Sequence, residues 1–486
     1  MADLLGVWAR LRESLWFVPS LIVLTAVLLA VAMVELSGFV TSDVLERWPR
    51  LFGAGAEGAR GMLSAIASSM ITVAGVTFSI TMVAVTQAST QYSPRILRNF
   101  MRDRANQAVL GIFVGIFAYC LVVLRTIRGG DESPFVPSIA VLVGILLALL
   151  GIAVLIFFIH HIATTLQASE IIARIARETC DTVDQLFPDE IEEAAPAQAA
   201  PIPQPATGPW SPVAAEDTGY IQRADVRRLV RIADQHDLLV KVERAAGDFV
   251  IGGQPMVWFA SVSRPSTDSL AATDSLSATD SLTATGSPAG SERGGEPSVV
   301  GGSGATVGHP RAAGGERAAA DAIGRLYSIG TYRTLDHDAR FGMRQLVDIA
   351  LKALSPGVND TTTAVTCVDY LGAVLLRLTN RRIDVLHLGP GGQPRVLATG
   401  PTYEDLLDLA MDEVRQNADG HVSVLVRQLR VLGTVAAVSR SVPRRRALAK
   451  HAELLREAAV KAIPLDHDRA HIDAAARAAL AAAGRP

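Results

Sequence analysis

The chain has 486 residues and a net charge of −3, with 45 Lys and Arg against 48 Asp and Glu. That length accommodates a membrane domain plus one or two soluble modules, and the near-neutral balance excludes nucleic acid as a partner, since no clustered basic face is implied. Its three cysteines, Cys120, Cys180 and Cys367, lack Cys-x-x-Cys spacing, so neither a disulfide framework nor a zinc site follows.

Four long apolar runs lie in the first third: Phe17–Leu36, Met62–Thr86, Ala108–Leu124 and Phe135–Ile159. None contains Lys or Arg, and Glu35 is their only acid. About 20 helical residues cross a hydrocarbon core of about 30 Å. Backbone amides in lipid must pair within their own segment, which makes these runs helices. The first run is too long for the apolar core of a signal peptide, so it reads as an uncleaved membrane helix.

Charge sets the expected topology. Arg10 and Arg12 precede the first run, Arg95, Arg98, Arg102 and Arg104 separate the second from the third, and Arg174 and Arg177 follow the fourth. The other loops dilute their arginines with acids. Positive loops favour the inside, so both termini are expected in the cytoplasm of a multi-pass protein of the inner (plasma) membrane. Trp16 and Trp48 flank the first span, as aromatic belts require.

The expected fold class is mainly α: a four-helix transmembrane domain over residues 1–165, then a cytoplasmic α+β region. His160 to Leu186 reads as a helical continuation leaving the bilayer, so that residues 166–212 form a helical exit and a Pro/Ala linker. Residues 213–262 read as a small β module with a helix from Asp225 to His236. Its Gly247-Asp248-Phe249-Val250 turn resembles those of biotinyl and lipoyl carriers, but no Lys stands at such a tip, so a plain β module is expected. Residues 263–317 contain three near-copies of Ala-Thr-Asp-Ser-Leu and then Gly-rich sequence, the composition of a disordered insertion. Residues 318–486 read as a helical domain, with helices over 341–354, 362–378, 403–416, 422–438, 445–462 and 469–483 and a short strand pair at 385–388 and 396–398.

Four blocks together resemble the bacterial family of predicted membrane proteins catalogued as domain of unknown function twenty-two fifty-four. They are Ser14–Pro19; Phe78–Val83 through Gln91–Arg95; Gly219–Gln222 with Gly247–Val250; and Arg333–Asp336 through Phe341-Gly342 and Ala353–Thr361. The resemblance implies the architecture and no activity. The Ser/Asp repeat insertion looks like a departure from it.

Three groups of residues are candidates for function. In the second span, Gly61, Ala65, Ser68, Thr72, Gly75, Ser79, Met82 and Thr86 recur at three- and four-residue steps, making a small, hydroxyl-rich stripe. Such a stripe serves helix packing or walls a pore, and the two uses are compatible around an oligomer axis. Ser93-Pro94 then opens an amphipathic segment whose Arg95, Arg98 and Arg102 share a face. Those arginines meet lipid phosphates or form a basic vestibule at a pore mouth. Arg333, Asp336, Asn359 and Asp360 are candidates for a cytoplasmic ligand, although acids before helices are ordinary caps.

No metal site is expected at His160-His161, since adjacent helical positions diverge by about 100°. No catalytic motif or cofactor fingerprint stands in a fitting context. These patterns lead to an oligomeric channel or pore passing a small ion or solute, with a cytoplasmic regulatory region. The alternative is a membrane-anchored sensor or scaffold whose soluble part binds a partner or ligand.

Overall fold

The computed structural model describes residues 16–39, 55–91, 104–128, 135–165, 167–187, 210–262, 314–383, 386–390, 392–398 and 400–484. The Ser/Asp repeats, most of the Pro/Ala linker and the Arg95–Arg102 segment lie outside these residues. The chain divides into two compact units. One comprises Met1–Asp189, Ala339–Arg382 and Pro401–Pro486; the other comprises Glu190–Asp338 and Ile383–Gly400.

The first unit begins with α1 (Phe17–Phe39), α2 (Ala56–Gln91), α3 (Arg104–Thr126) and α4 (Ser138–Thr165). All four are long and apolar enough to cross a membrane. The second helix exceeds its apolar run at both ends. Its 36 residues span about 54 Å, well beyond a hydrocarbon core of about 30 Å. Near its start, Arg60 Nη2 donates to the Ile127 carbonyl at 2.7 Å, anchoring the extra turn to the end of α3. The fourth helix starts three residues later than its apolar run because Phe135 pairs with Arg128 in a β-bridge.

Small residues on α3 and α4 set how closely these helices approach. A Cβ on Gly111 would lie 2.9 Å from the Pro19 backbone of α1, and one on Gly115 would lie 3.3 Å from Ala26. This is the Gly-x-x-x-Gly spacing that brings apolar helices together in lipid, where the hydrophobic effect does not. On α4, Gly144 seats Leu63 and Gly151 seats Met70, both from α2. The buried Tyr119 hydroxyl donates to the Ala140 carbonyl at 2.8 Å, joining α3 to α4.

A break at Gln167, in extended conformation, separates α4 from α5 (Ala168–Leu186), where sequence periodicity suggested one continuous helix. The apolar face of α5, with Ile171, Ile172, Ile175 and Val183, is buried against α8 (Ala339–Leu354) and α9 (Thr361–Leu378). The remaining helices are α10 (Tyr403–Asn417), α11 (Val422–Val438), α12 (Val442–Ala462) and α13 (Asp466–Ala483). Thr402 and Asp405 form the capping box of α10. Gly372 on α9 receives Val431 of α11, and Gly433 on α11 approaches the Ala479 backbone of α13.

The second unit holds β1 (Ser211–Ala214), β2 (Gly219–Ala224), α6 (Val226–Gln235), β3 (Leu238–Val242), β4 (Phe249–Val250), β5 (Pro255–Ser261), α7 (Gly314–Gly324), β6 (Tyr327–Gly330), β7 (Leu386–Leu388) and β8 (Pro394–Ala398). One sheet has the order β1-β5-β3-β8-β7 and the other β4-β2-β6. The expected strand pair forms as the antiparallel β7–β8 hairpin. Its β8 also joins β3 in parallel, with Val240 opposite Val396. Arg395, 8% exposed, holds that junction by donating to Asp234 at 3.0 Å and Asp237 at 2.9 Å. Val240, Val257, Leu229, Ile323 and Val396 fill the core.

Gly247 adopts φ +90° and meets the carboxylate of Asp338, which is almost fully buried and takes hydrogen bonds from Arg333 Nε and Nη2 at 2.9 and 2.7 Å. A Cβ on Gly247 would lie 2.0 Å from Asp338 Oδ2. Gly247→Ala therefore combines backbone strain with displacement of a buried ion pair, and is expected to destabilise this unit by about 3 kcal/mol. Chemical denaturation of the purified variant and parent measures the difference.

Candidate functional site

The buried edge of α2 consists of Ala59, Leu63, Ala67, Met70, Ala74, Thr77 and Ala84, packed on the other membrane helices. The predicted stripe lies elsewhere. Gly61, Ala65, Ser68, Thr72, Gly75, Ser79, Met82 and Thr86 are all exposed. At 100° per residue, the stripe is centred about 165° around the helix from the buried edge. Gly61 and Gly75 have nothing within 4 Å of an added Cβ, in contrast to Gly111 and Gly144. The stripe is thus not part of the packing within the chain.

The hydroxyls of this helix are partly tied to its own backbone. Thr72 Oγ1 donates to the Ser68 carbonyl at 2.8 Å, Ser69 Oγ to Ala65 at 2.8 Å and Thr86 Oγ1 to Met82 at 2.9 Å. Each such bond uses the single hydroxyl hydrogen and leaves oxygen lone pairs as acceptors. The exposed face therefore combines small volume with hydrogen-bond acceptors.

The basic segment Arg95, Arg98 and Arg102 lies outside the described residues. The four ligand candidates fall in different units: Arg333 and Asp336 in the second, Asn359 and Asp360 in the first. Arg333 engages Asp338 rather than Asp336, which is exposed. Asn359 takes the left-handed conformation, φ +49°, where the chain turns between α8 and α9. Asp360 caps α9, accepting from the Thr363 backbone at 3.0 Å and the Thr363 hydroxyl at 2.6 Å, and these bonds hold its carboxyl below the ordinary value.

Sequence reasoning missed three polar assemblies in the first unit. Asp184, near the end of α5, accepts from Arg377 Nε and Nη2 at 2.8 and 2.5 Å and pairs with Arg381 at 2.8 Å. Arg444 donates to the carbonyls of Leu378, Thr379 and Arg381 and lies 4.9 Å from the centre of the Tyr403 ring. It serves as a C-terminal cap for α9 supplied by another helix. His451 of α12, 2% exposed, meets Asp408 Oδ1 of α10 at 2.8 Å. None of these partners is near in sequence, so no local spacing announced them.

Four membrane-length helices joined to a region of further helices and two small sheets define a multi-helix membrane protein. The chain belongs to the family described as Predicted membrane protein (DUF2254), whose profile matches residues 12–285 and 295–434. It is similar to an uncharacterized protein of Mycobacterium bovis and to one of Mycobacterium tuberculosis. Each is 31% identical over 430 residues, covering 88% of this chain and 73% of the relative. No solved structure matches it.

Hydrogen bonds from Arg377 hold the Asp184 carboxyl below its ordinary value of 3.8. A depressed native pKa gives stability that is present above the unfolded value and is lost as pH falls through the native one. Acidification below about 4 should therefore loosen α5 from α9, and Asp184→Asn should remove this part of the pH dependence. Hydrogen exchange of α5 and α9 amides across that range tests both expectations.

Proposed function

We propose that this protein is a homo-oligomeric pore in the inner membrane, with α2 lining a path for water and small ions or solutes and with both termini in the cytoplasm. The observation that carries the reading is the position of the α2 stripe. Seven small or hydroxyl-bearing positions, together with Met82, face away from the chain's own bundle. A helix facing only lipid has no need for Gly61, Ser68, Thr72, Gly75 and Ser79 along one line, whereas a helix meeting its copies around an axis does. The outward hydroxyl oxygens replace part of the hydration of a passing solute. Four helices enclose too little space for a path of their own, so the pore requires several subunits.

The arginines Arg95, Arg98 and Arg102 stand in this proposal at the inner mouth, where they concentrate anions or bind lipid phosphates. Arg333, Asp336, Asn359 and Asp360 belong to the soluble region that would regulate it. The anchor reading has less support: Arg333 is paired with Asp338 and Asp360 is occupied as a cap.

Purified protein in a planar bilayer is expected to conduct, and Ser68→Val with Thr72→Val and Ser79→Val to change conductance or ion preference by severalfold. Silence across salts, voltages and membrane tensions refutes the pore. Assembly has a separate readout. Ser68→Cys or Gly75→Cys, with Cys120, Cys180 and Cys367 replaced by Ala, should cross-link copies under oxidation, while Leu28→Cys on exposed α1 should not.

A further inference from the structure

Beyond the membrane helices, the connection from α11 to α12 gathers positive charge. Four arginines, Arg440, Arg444, Arg445 and Arg446, fall within seven residues, and no acid follows until Glu453. Three of them occupy the first turns of α12, which has no acid in its first turn. The helix dipole is positive there, so the arrangement is electrostatically unfavourable by itself. Arg444 is relieved by the carbonyls at the end of α9, and Arg445 by the Ser439 carbonyl at 3.0 Å. The Arg440 and Arg446 side chains are exposed and have no partner among the described residues.

A groove of about 620 Å³ opens at this place, lined by residues that include Ala436, Val438, Ser439, Arg440, Arg445 and Ala482, with no acid among them. Ser439 is 5% exposed, yet its Oγ has no hydrogen-bond partner among the described residues. A buried hydroxyl without a partner is unfavourable, and here it belongs to a residue lining a basic groove.

We propose that this groove binds a small soluble phosphate monoester with an apolar organic part. Arg440, Arg445 and the Ser439 hydroxyl supply charge-assisted donors for the phosphate oxygens. Ala436, Val438 and Ala482 supply the apolar wall. Asn380 ties the groove to the end of α9 through the Val438 carbonyl and the Arg440 backbone amide. That end of α9 grips the last turn of α5, roughly 27 Å along α5 from the turn that follows α4. A soluble ligand suits this placement better than a headgroup of the surrounding bilayer.

The test uses the full chain in detergent micelles, with 1-naphthyl phosphate as probe and chloride keeping ionic strength constant. The probe should raise the unfolding temperature saturably, by linkage, and inorganic phosphate should act more weakly. Arg440→Ala and Ser439→Ala should each weaken probe binding about tenfold or more. Because both side chains have no partner among the described residues, neither variant should lower the unfolding temperature without probe. The proposal is overturned if the probe gives no saturable shift, if naphthalene sulfonate matches it, or if both variants bind like the parent. A shift confined to nanodiscs containing phosphatidylglycerol also overturns it, by assigning the site to lipid.

Discussion

Hydrocarbon offers the backbone no hydrogen-bond partner, and the membrane part of this protein follows from that constraint. It makes each apolar run a helix and removes the hydrophobic effect as a reason for helices to associate. Close contact must come from shape. Gly111 and Gly115 admit α1, while Gly144 and Gly151 admit Leu63 and Met70 of α2. Once α2 is seated on one edge, its opposite face is committed to the outside. The small, hydroxylated stripe on that face is therefore a consequence of bundle packing read from its other side, and it is the feature on which the pore proposal rests.

The polar helices of the first unit are held together differently. There, water drives apolar burial, and charged groups fasten the ends. Asp184 joins α5 to the last turn of α9 through two arginines, and Arg444 closes the carbonyl end of α9 from another helix. Bidentate and forked contacts of this kind suit Arg and not Lys, because the guanidinium presents several donors in fixed directions. The same arginine-rich stretch leaves Arg440 and Arg446 without side-chain partners among the described residues, so a single run of sequence combines a structural cap with a basic surface.

The second unit depends on long-range pairing. Its larger sheet is completed by β8, more than 150 residues along the chain from β3, and Arg395 locks that junction. Asp338 lies directly before α8 and reads locally as a helix cap. Its carboxylate is instead turned to Arg333 beside Gly247. Two of the sequence blocks that mark the family thus meet at one buried ion pair, and a turn that resembled a carrier tip is a backbone site shaped around a carboxylate.

The sequence by itself determined whatever depends on local periodicity and composition. The four membrane helices, the amphipathic α6, the α10 cap at Thr402 and the β7–β8 hairpin all follow from residues close together in the chain. The existence of the α2 stripe was equally legible, because a 3.6-residue repeat is a local property. Only the tertiary structure decided which way the stripe points, since that depends on which glycines of α3 and α4 accept which side chains. It alone broke the exit helix at Gln167, placed a left-handed residue at Asn359, paired Asp184 and Arg444 with distant groups, and set the Arg333–Asp338 pair against Gly247. Ion pairs and caps between remote segments leave no spacing in a sequence. They arise when packing brings their backbones within reach, which is why the stripe could be read from the chain and its surroundings could not.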